Sequence, residues 1–294
     1  MTTVSSDVEV IDRARETELL EAALASGANI LLEGPPGTGK STLLRRVAAR
    51  RHSAFALVEG NAELTPARLV GYFDPAQVLS RGYHPDVFVD GPLLTAMRDG
   101  GLLYVEELNR VPEETLNALL TVMSEREMTV PRLGTVRAAA GFGVVAAMNP
   151  YDAVGTARVS SAVYDRTCRI AMGYQSARAE EQIVAQRVAG PSEDWVARVV
   201  ELVRATRDHP ELRVGSSVRG AIDLVGLAGQ LARVRGVDGD DWQAGLDAAL
   251  VALSGRIRVD ESSLRTPEAV IEELYRRIFG AAPSSAEDGS PGEI

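Results

Sequence analysis

The stretch GPPGTGKS, residues 34–41, decides the fold. It fits the phosphate-binding pattern G-x-x-x-x-G-K-[S/T] at every position. Gly34, Gly37 and Gly39 allow backbone N–H groups to turn inward around a phosphate chain, with Pro35, Pro36 and Thr38 completing the loop. Lys40 is placed to reach the β- and γ-phosphates, and the Ser41 hydroxyl to hold magnesium. Thr42 continues into a helix whose N-terminal end favours negative charge. The apolar NILLE before the loop reads as a strand and TLLRRVAAR after it as a helix, the context that such a loop needs.

Some sixty residues downstream lies GGLLYVEELNR, residues 100–110. Leu102 to Val105 run straight into two acids, Glu106 and Glu107. In nucleotide-binding folds a strand beside the phosphate loop ends in such acids, the first on magnesium and the next on the attacking water. Glu106 and Ser41 are thus the expected metal ligands, and Glu107 the expected base. The first acid of such a strand is usually aspartate, so Glu106 is one methylene longer. Further on, AAMNP, residues 146–150, could place the Asn149 amide between the acidic strand and the γ-phosphate. An Asn-Pro pair also caps turns, and the residues alone leave both readings open.

Around these motifs the pattern is strand and helix in alternation. FALVE (55–59), residues 102–105, GVVAAM (143–148) and residues 168–171 are apolar runs without alternation, as expected of strands buried on both faces. PEETLNALLTVMSER is helical, with Leu116, Leu120 and Met123 sharing a face. An earlier helix has Ile11, Leu19, Leu20 and Ala23 as its apolar positions and ends at Gly27. This order predicts an α/β fold with a parallel central sheet flanked by helices. MTVPRLGTV predicts a hairpin turning at Gly134. After about residue 175 the chain reads as helices only. Val196, Val199 or Val200, and Val203 form one stripe, and Leu224, Ala228 and Leu231 another. A last helix has Thr266 as cap, Pro267 at its first position, Ile271, Leu274 and Ile278 inside and Gly280 as its stop. The expected organisation is a flexible N-terminus at 1–8, an α/β nucleotide-binding domain at 9–175, a helical lid at 176–280 and a disordered tail at 281–294.

The chain has 294 residues, 45% hydrophobic and 24% charged, an ordinary globular composition. Its net charge of −10 disfavours nucleic acid as a general partner, because phosphate neutralisation needs a basic footprint. Cys168 is the single cysteine, so no intramolecular disulfide forms, and its apolar setting in RTCRIAM predicts a small buried hydrophobe. His52, His84 and His209 are too scattered to suggest a metal site. No signal peptide is visible and no run is long enough to insert in a membrane, so a cytoplasmic protein is expected.

Taken in order, GPPGTGKS, LLYVEELNR, AAMNP, YDRTCRI and GSSVRGAIDL resemble the MoxR family of AAA+ ATPases over about residues 10–280. The resemblance implies an AAA+ P-loop NTPase core with a small C-terminal all-helical lid, working as a homo-oligomeric ring, usually a hexamer. It implies ATP and Mg2+ as cofactors and hydrolysis of ATP to ADP and phosphate. By position, Asn149 matches sensor 1, Arg166 the arginine finger offered to a neighbour's ATP, and Arg219 sensor 2 on the lid. Residues 66–93 and 126–142 resemble the branch's insertions, which face a pore or a partner. The usual partner is a protein with a von Willebrand factor A domain, and the pair matures a protein complex or inserts a metal cofactor. The client is not legible. Glu106 departs from the family's aspartate and puts the magnesium geometry in question. It motivates one alternative, a weakly hydrolysing nucleotide-dependent scaffold. Arg126, Arg132 and Arg137 on the hairpin motivate another, a nucleic-acid-remodelling motor, against the acidic charge. A chelatase-type metal-insertion subunit would share the same fold and ATP site.

Overall fold

Short capping motifs divide the chain into its elements. Thr65, Asp74 and Thr266 each stand before a proline, and each side chain accepts from a backbone N–H of the first helical turn. Proline at the first helical position gives up an N–H that has no partner there in any case. The computed structural model describes residues 10–150, 160–188 and 190–282. The expected flexible start at 1–8 and the expected tail from residue 283 onward lie outside the described residues.

In chain order the elements are α1 (Ala14–Ala25), β1 (Ile30–Glu33), α2 (Lys40–Arg50), β2 (Phe55–Glu59), α3 (Pro66–Val70), β3 (Gly71–Phe73), α4 (Pro75–Arg81), β4 (Phe88–Asp90) and α5 (Pro92–Asp99). Then come β5 (Leu102–Glu106), α6 (Glu113–Glu125), β6 (Glu127–Val130), β7 (Gly134–Arg137), β8 (Gly143–Met148), α7 (Ser161–Asp165) and β9 (Cys168–Ala171). The chain continues through α8 (Ala177–Arg187), α9 (Glu193–Arg207), β10 (Leu212–Val214), α10 (Val218–Arg235), α11 (Trp242–Leu253), β11 (Arg258–Val259) and α12 (Pro267–Phe279). It divides into two compact units, Met1–Tyr174 and Gln175–Ile294.

The first unit is built on a five-stranded sheet in the order β2-β5-β8-β1-β9, with every neighbouring pair parallel. Side chains alternate across the sheet. Leu31, Leu103, Val105, Val144, Ala146 and Met148 face one core with Leu93, Leu94 and Met97 of α5 and Leu119 and Val122 of α6. Ile30, Leu32, Leu102, Tyr104, Val145 and Ala147 face the other, with Leu43, Leu44 and Val47 of α2 and Leu20 and Leu24 of α1. The same alternation sends Glu106 to the α2 face.

Burial on both faces holds for β1, β8 and nearly all of β5, but not for the outer strands. In β2 only Val58 is buried, and in β9 only Ile170, because an edge strand is covered less completely. Cys168, expected inside, is exposed at the start of β9. In α6 the buried line is Thr115, Leu119, Val122 and Met123, with Leu116 and Leu120 packed at its margin, and Leu19 of α1 is 40% exposed.

Within residues 66–93, β3 and β4 pair antiparallel and bracket α4. Strands β6 and β7 form the expected hairpin. Its turn uses Arg132 at φ 66° as well as Gly134 at φ 97°, and the Arg132 guanidinium lies 3.6 Å from the Tyr83 ring centroid. In the second unit, α9, α10, α11 and α12 bury Val199, Val203, Leu224, Ala249, Ile271 and Leu274 around one core. Helices are not its whole content: β10 and β11 pair antiparallel between them. Among the described residues no helix is long and apolar enough to cross a membrane.

Candidate nucleotide-binding site

Because the sheet is parallel, β1, β5 and β8 deliver their carboxyl ends to one edge, where ligands of open α/β sheets are held. The phosphate loop starts there under tight constraint. Gly34 N–H donates to the Met148 carbonyl at 3.2 Å, and a Cβ on Gly34 would lie 2.1 Å from the Met172 carbonyl oxygen. Gly37 and Gly39 have φ of 77° and 85°, and Gly39 leads into α2. Lys40 Nζ donates to the Gly34 and Pro35 carbonyls, both at 2.8 Å, and to Thr38 Oγ1 at 3.4 Å. Thr38 is buried and donates back to the Pro35 carbonyl, Pro36 is exposed, and Thr42 is half-buried in the first turn of α2.

Across the loop, Ser41 Oγ donates to Glu106 Oε1. The longer carboxylate therefore reaches α2 without displacing β5. Tyr104 precedes Glu106 by two residues and shares its face. Its hydroxyl lies 3.3 Å from Ser41 Oγ. Burial raises the Tyr104 pKa well above the usual phenol value, a rise that Ser41 opposes and the Glu106 charge adds to, so it stays a protonated donor. Ser41 and Glu106 offer two hard oxygen donors side by side. That set fits magnesium, which needs only one or two protein oxygens when phosphates supply others.

Glu107 turns into the left-handed region, at φ 50° and ψ 46°, and its carboxylate pairs with Arg110 at 3.1 Å. Gly60, just past β2, donates to the Glu106 carbonyl at 2.8 Å, and a Cβ there would fall 2.3 Å from the Glu107 carbonyl oxygen. Asn149 follows β8, which lies between β5 and β1, and is half-buried. Lys40, Ser41, Glu106, Glu107 and Asn149 thus share one edge of the sheet.

Arg166 is not among them. The Asn29 side chain, just before β1, donates to the Arg166 carbonyl at 3.4 Å, and Ile30 pairs with Cys168. Arg166 therefore sits at the amino edge of the sheet, separated from its own phosphate loop by the length of β1, about 13 Å. Its guanidinium donates to Ser124 Oγ at 2.6 Å and to the Ala162 carbonyl at 3.1 Å. Arg219 is exposed in the first turn of α10, in the second unit.

Two groups beside the loop have no counterpart in the sequence reading. Arg13 is 5% exposed, and its Nη2 donates to the Thr38 carbonyl at 3.1 Å and the Gly173 carbonyl at 2.5 Å, while Nη1 pairs with Glu16 at 2.9 Å. Glu33, buried at the end of β1, accepts from Tyr164 at 2.6 Å and pairs with Arg169. The hydrogen bond to Glu33 favours the protonated phenol and raises the Tyr164 pKa. These partners are far apart in the chain, so no local spacing announces them. The FALVEG junction was the one available signal for Gly60: a glycine at a strand end marks close backbone approach.

The model of the AAA domain (dynein-related subfamily) matches residues 29–167. YojN of Bacillus subtilis is 32% identical over 222 residues, covering 74% of this chain and 72% of YojN. SH1500 of Staphylococcus haemolyticus is 30% identical over 230 residues, covering 76% of this chain and 84% of its own. Among solved structures, the Thermotoga maritima RuvB Holliday junction branch migration motor superposes with a TM-score of 0.54 at 16% identity, over 81% of this chain and 67% of that one. A candidate ATPase of Cytophaga hutchinsonii superposes with a TM-score of 0.50 at 22% identity, over 92% and 90%.

With a phosphate loop at the carboxyl edge of a parallel sheet and Glu106 meeting its Ser41, the chain is an AAA+ ATPase, a nucleotide-binding hydrolase. It belongs to the family that includes Bacillus subtilis YojN. The matches stop at the AAA+ class and do not reach the MoxR branch.

Proposed function

We propose that this chain is the ATP-hydrolysing subunit of a ring that remodels another macromolecule. The observation that carries the reading is the meeting of Ser41 and Glu106 beside Lys40, at the sheet edge that also holds Glu107 and Asn149. Lys40 and the loop amides hold the phosphates, exchanging the Gly34 and Pro35 carbonyls for phosphate oxygens. Ser41 and Glu106 hold Mg2+, which when bound neutralises charge on the β- and γ-phosphates. Glu107 takes the proton of the attacking water and Asn149 orients that water. Water attacks the γ-phosphorus as the bond to ADP breaks. Glu107 leaves its pairing with Arg110 to do so.

Arg166 serves a neighbouring subunit's nucleotide. Its place at the amino edge, a strand length from its own loop, supports action in trans and hence a head-to-tail ring. Six subunits follow from the MoxR resemblance. Arg219, at the start of α10, senses the γ-phosphate for the helical unit. The expected test is Glu107→Gln. ATP affinity should stay within about twofold, and phosphate release should fall by at least about a hundredfold, the usual weight of a general base. Retained turnover in that variant would remove Glu107 from the mechanism.

The client has two readings. The MoxR resemblance points to a protein client with a von Willebrand factor A partner, in complex maturation or metal insertion. The likeness to RuvB favours instead a nucleic-acid motor, and of the two it is the reading that the solved structures support. The acidic net charge opposes it. The hairpin arginines are also engaged: Arg126 donates to the Phe142 carbonyl, Arg137 pairs with Glu127, and Arg132 lies over Tyr83. DNA-stimulated turnover that falls steeply with salt would decide for the motor. The scaffold reading is tested by Glu106→Asp. The reach of Glu106 to Ser41 supports an already competent site, so a large gain in turnover would favour the scaffold.

A further inference from the structure

We propose that Glu33 is a positioning residue for Arg166: it seats the segment that carries this arginine on the strand that leads into the phosphate loop. The inference rests on the reading that Arg166 serves a neighbouring subunit's nucleotide. Glu33 is the last residue of β1 and directly precedes Gly34. It is 3% exposed, and a buried carboxylate is costly unless it is paired and hydrogen-bonded. It accepts from the Tyr164 hydroxyl at 2.6 Å and from Arg169 Nε. Tyr164 stands two residues before Arg166, and Arg169 three after it. Both donors therefore come from the segment that holds Arg166, one from each side.

That segment needs such an anchor. The helix α7 has five residues, and a helix so short has little stability of its own. Val163 is its one buried side chain. The strand that follows, β9, is an edge strand paired with β1 alone. Arg169 pairs in register with Leu31, so its side chain shares a face with Glu33. Glu33 itself is held on both sides, in register with Met148 of β8 and Ala171 of β9. The Arg166 carbonyl accepts from Asn29, just before β1. The segment is thus fixed at two points along β1, Asn29 at the amino end and Glu33 at the carboxyl end. One strand holds both the subunit's own phosphate loop and the arginine that it offers to the next subunit.

The test combines ATP affinity, phosphate release and mixed rings. Glu33→Ala removes both bonds, and Arg169, whose side chain is 54% exposed, can turn to water. Tyr164→Phe removes one bond at an exposed side chain, and tests the same point should Glu33→Ala fail to fold. Each should lower phosphate release at least about tenfold with ATP affinity within about twofold, because a shift of about 1 Å in a catalytic group is enough for such a loss. Mixed in equal amounts with Lys40→Ala, whose Arg166 segment is intact, each variant should release phosphate faster than it does alone. Mixed with Arg166→Ala it should not. A defect confined to the variant's own phosphate loop would gain nothing from Lys40→Ala, because that partner brings no working loop. Wild-type turnover in the folded variants, or no gain with Lys40→Ala, would overturn the inference where Arg166→Ala is inactive. An Arg166→Ala chain that turns over like wild type would instead remove the reading of Arg166 in trans, and the inference with it.

Discussion

At Gly60, one hydrogen atom holds a place for the turn that carries Glu107. A methyl group there would meet the Glu107 carbonyl at 2.3 Å, a backbone atom that cannot swing aside. Gly60→Ala should therefore displace the acid turn. We expect phosphate release to fall at least about tenfold with nucleotide affinity within about threefold, since the phosphate loop is untouched. Equal loss of both in a turnover and binding assay would place the damage elsewhere. Lys40→Ala should remove detectable nucleotide binding in the same assay. Residues of this kind divide sharply in how they read from sequence. The loop and the acid pair are legible because their chemistry requires fixed residue types at fixed local spacing. Arg13 and Glu33 are not, because each acts through a partner brought near by folding: Gly173 lies 160 residues from Arg13. Cys168 misleads for a related reason. Ile170 and Ala171 after it are apolar, but the strand they complete is an edge strand.

Elements follow from local rules where they are long or capped, and escape them where they are short. The start of α12 is set by Thr266, whose side chain accepts from the Ala269 N–H at 3.2 Å, and by Pro267. Thr266→Ala should cost about 1 kcal/mol in denaturant unfolding of the helical unit. Strands β10 and β11 have three and two residues, too few to show a period, and the sequence reading passes over them. At the phosphate loop, Arg13 ties the N-terminal end of α1 to the Thr38 and Gly173 carbonyls. Arg13→Gln should lower stability by about 2 kcal/mol, the scale of hydrogen bonds made by a charged group. It should also weaken nucleotide binding, because Thr38 belongs to the loop. Unchanged binding in a destabilised variant would make Arg13 a packing residue alone.

On the scale of the whole molecule, the account depends on a site that one chain does not complete. Lys40, Ser41, Glu106, Glu107 and Asn149 stand at one edge of the sheet and Arg166 at the other. Turnover per subunit should therefore rise with protein concentration and then saturate as rings assemble, as steady-state phosphate release would record. Sequence order places Arg166 two residues before the run 168–171, and so at the amino edge of a parallel sheet. The sheet topology adds that this strand lies beside β1. The most direct test mixes two defective chains, Arg166→Ala and Lys40→Ala. Each alone should be near background. Mixed in equal amounts, they should recover up to about a quarter of wild-type phosphate release, the share of head-to-tail interfaces that pair an intact phosphate loop with an intact Arg166. A mixture that assembles but stays at background, or an Arg166→Ala chain that turns over like wild type, would contradict a shared site.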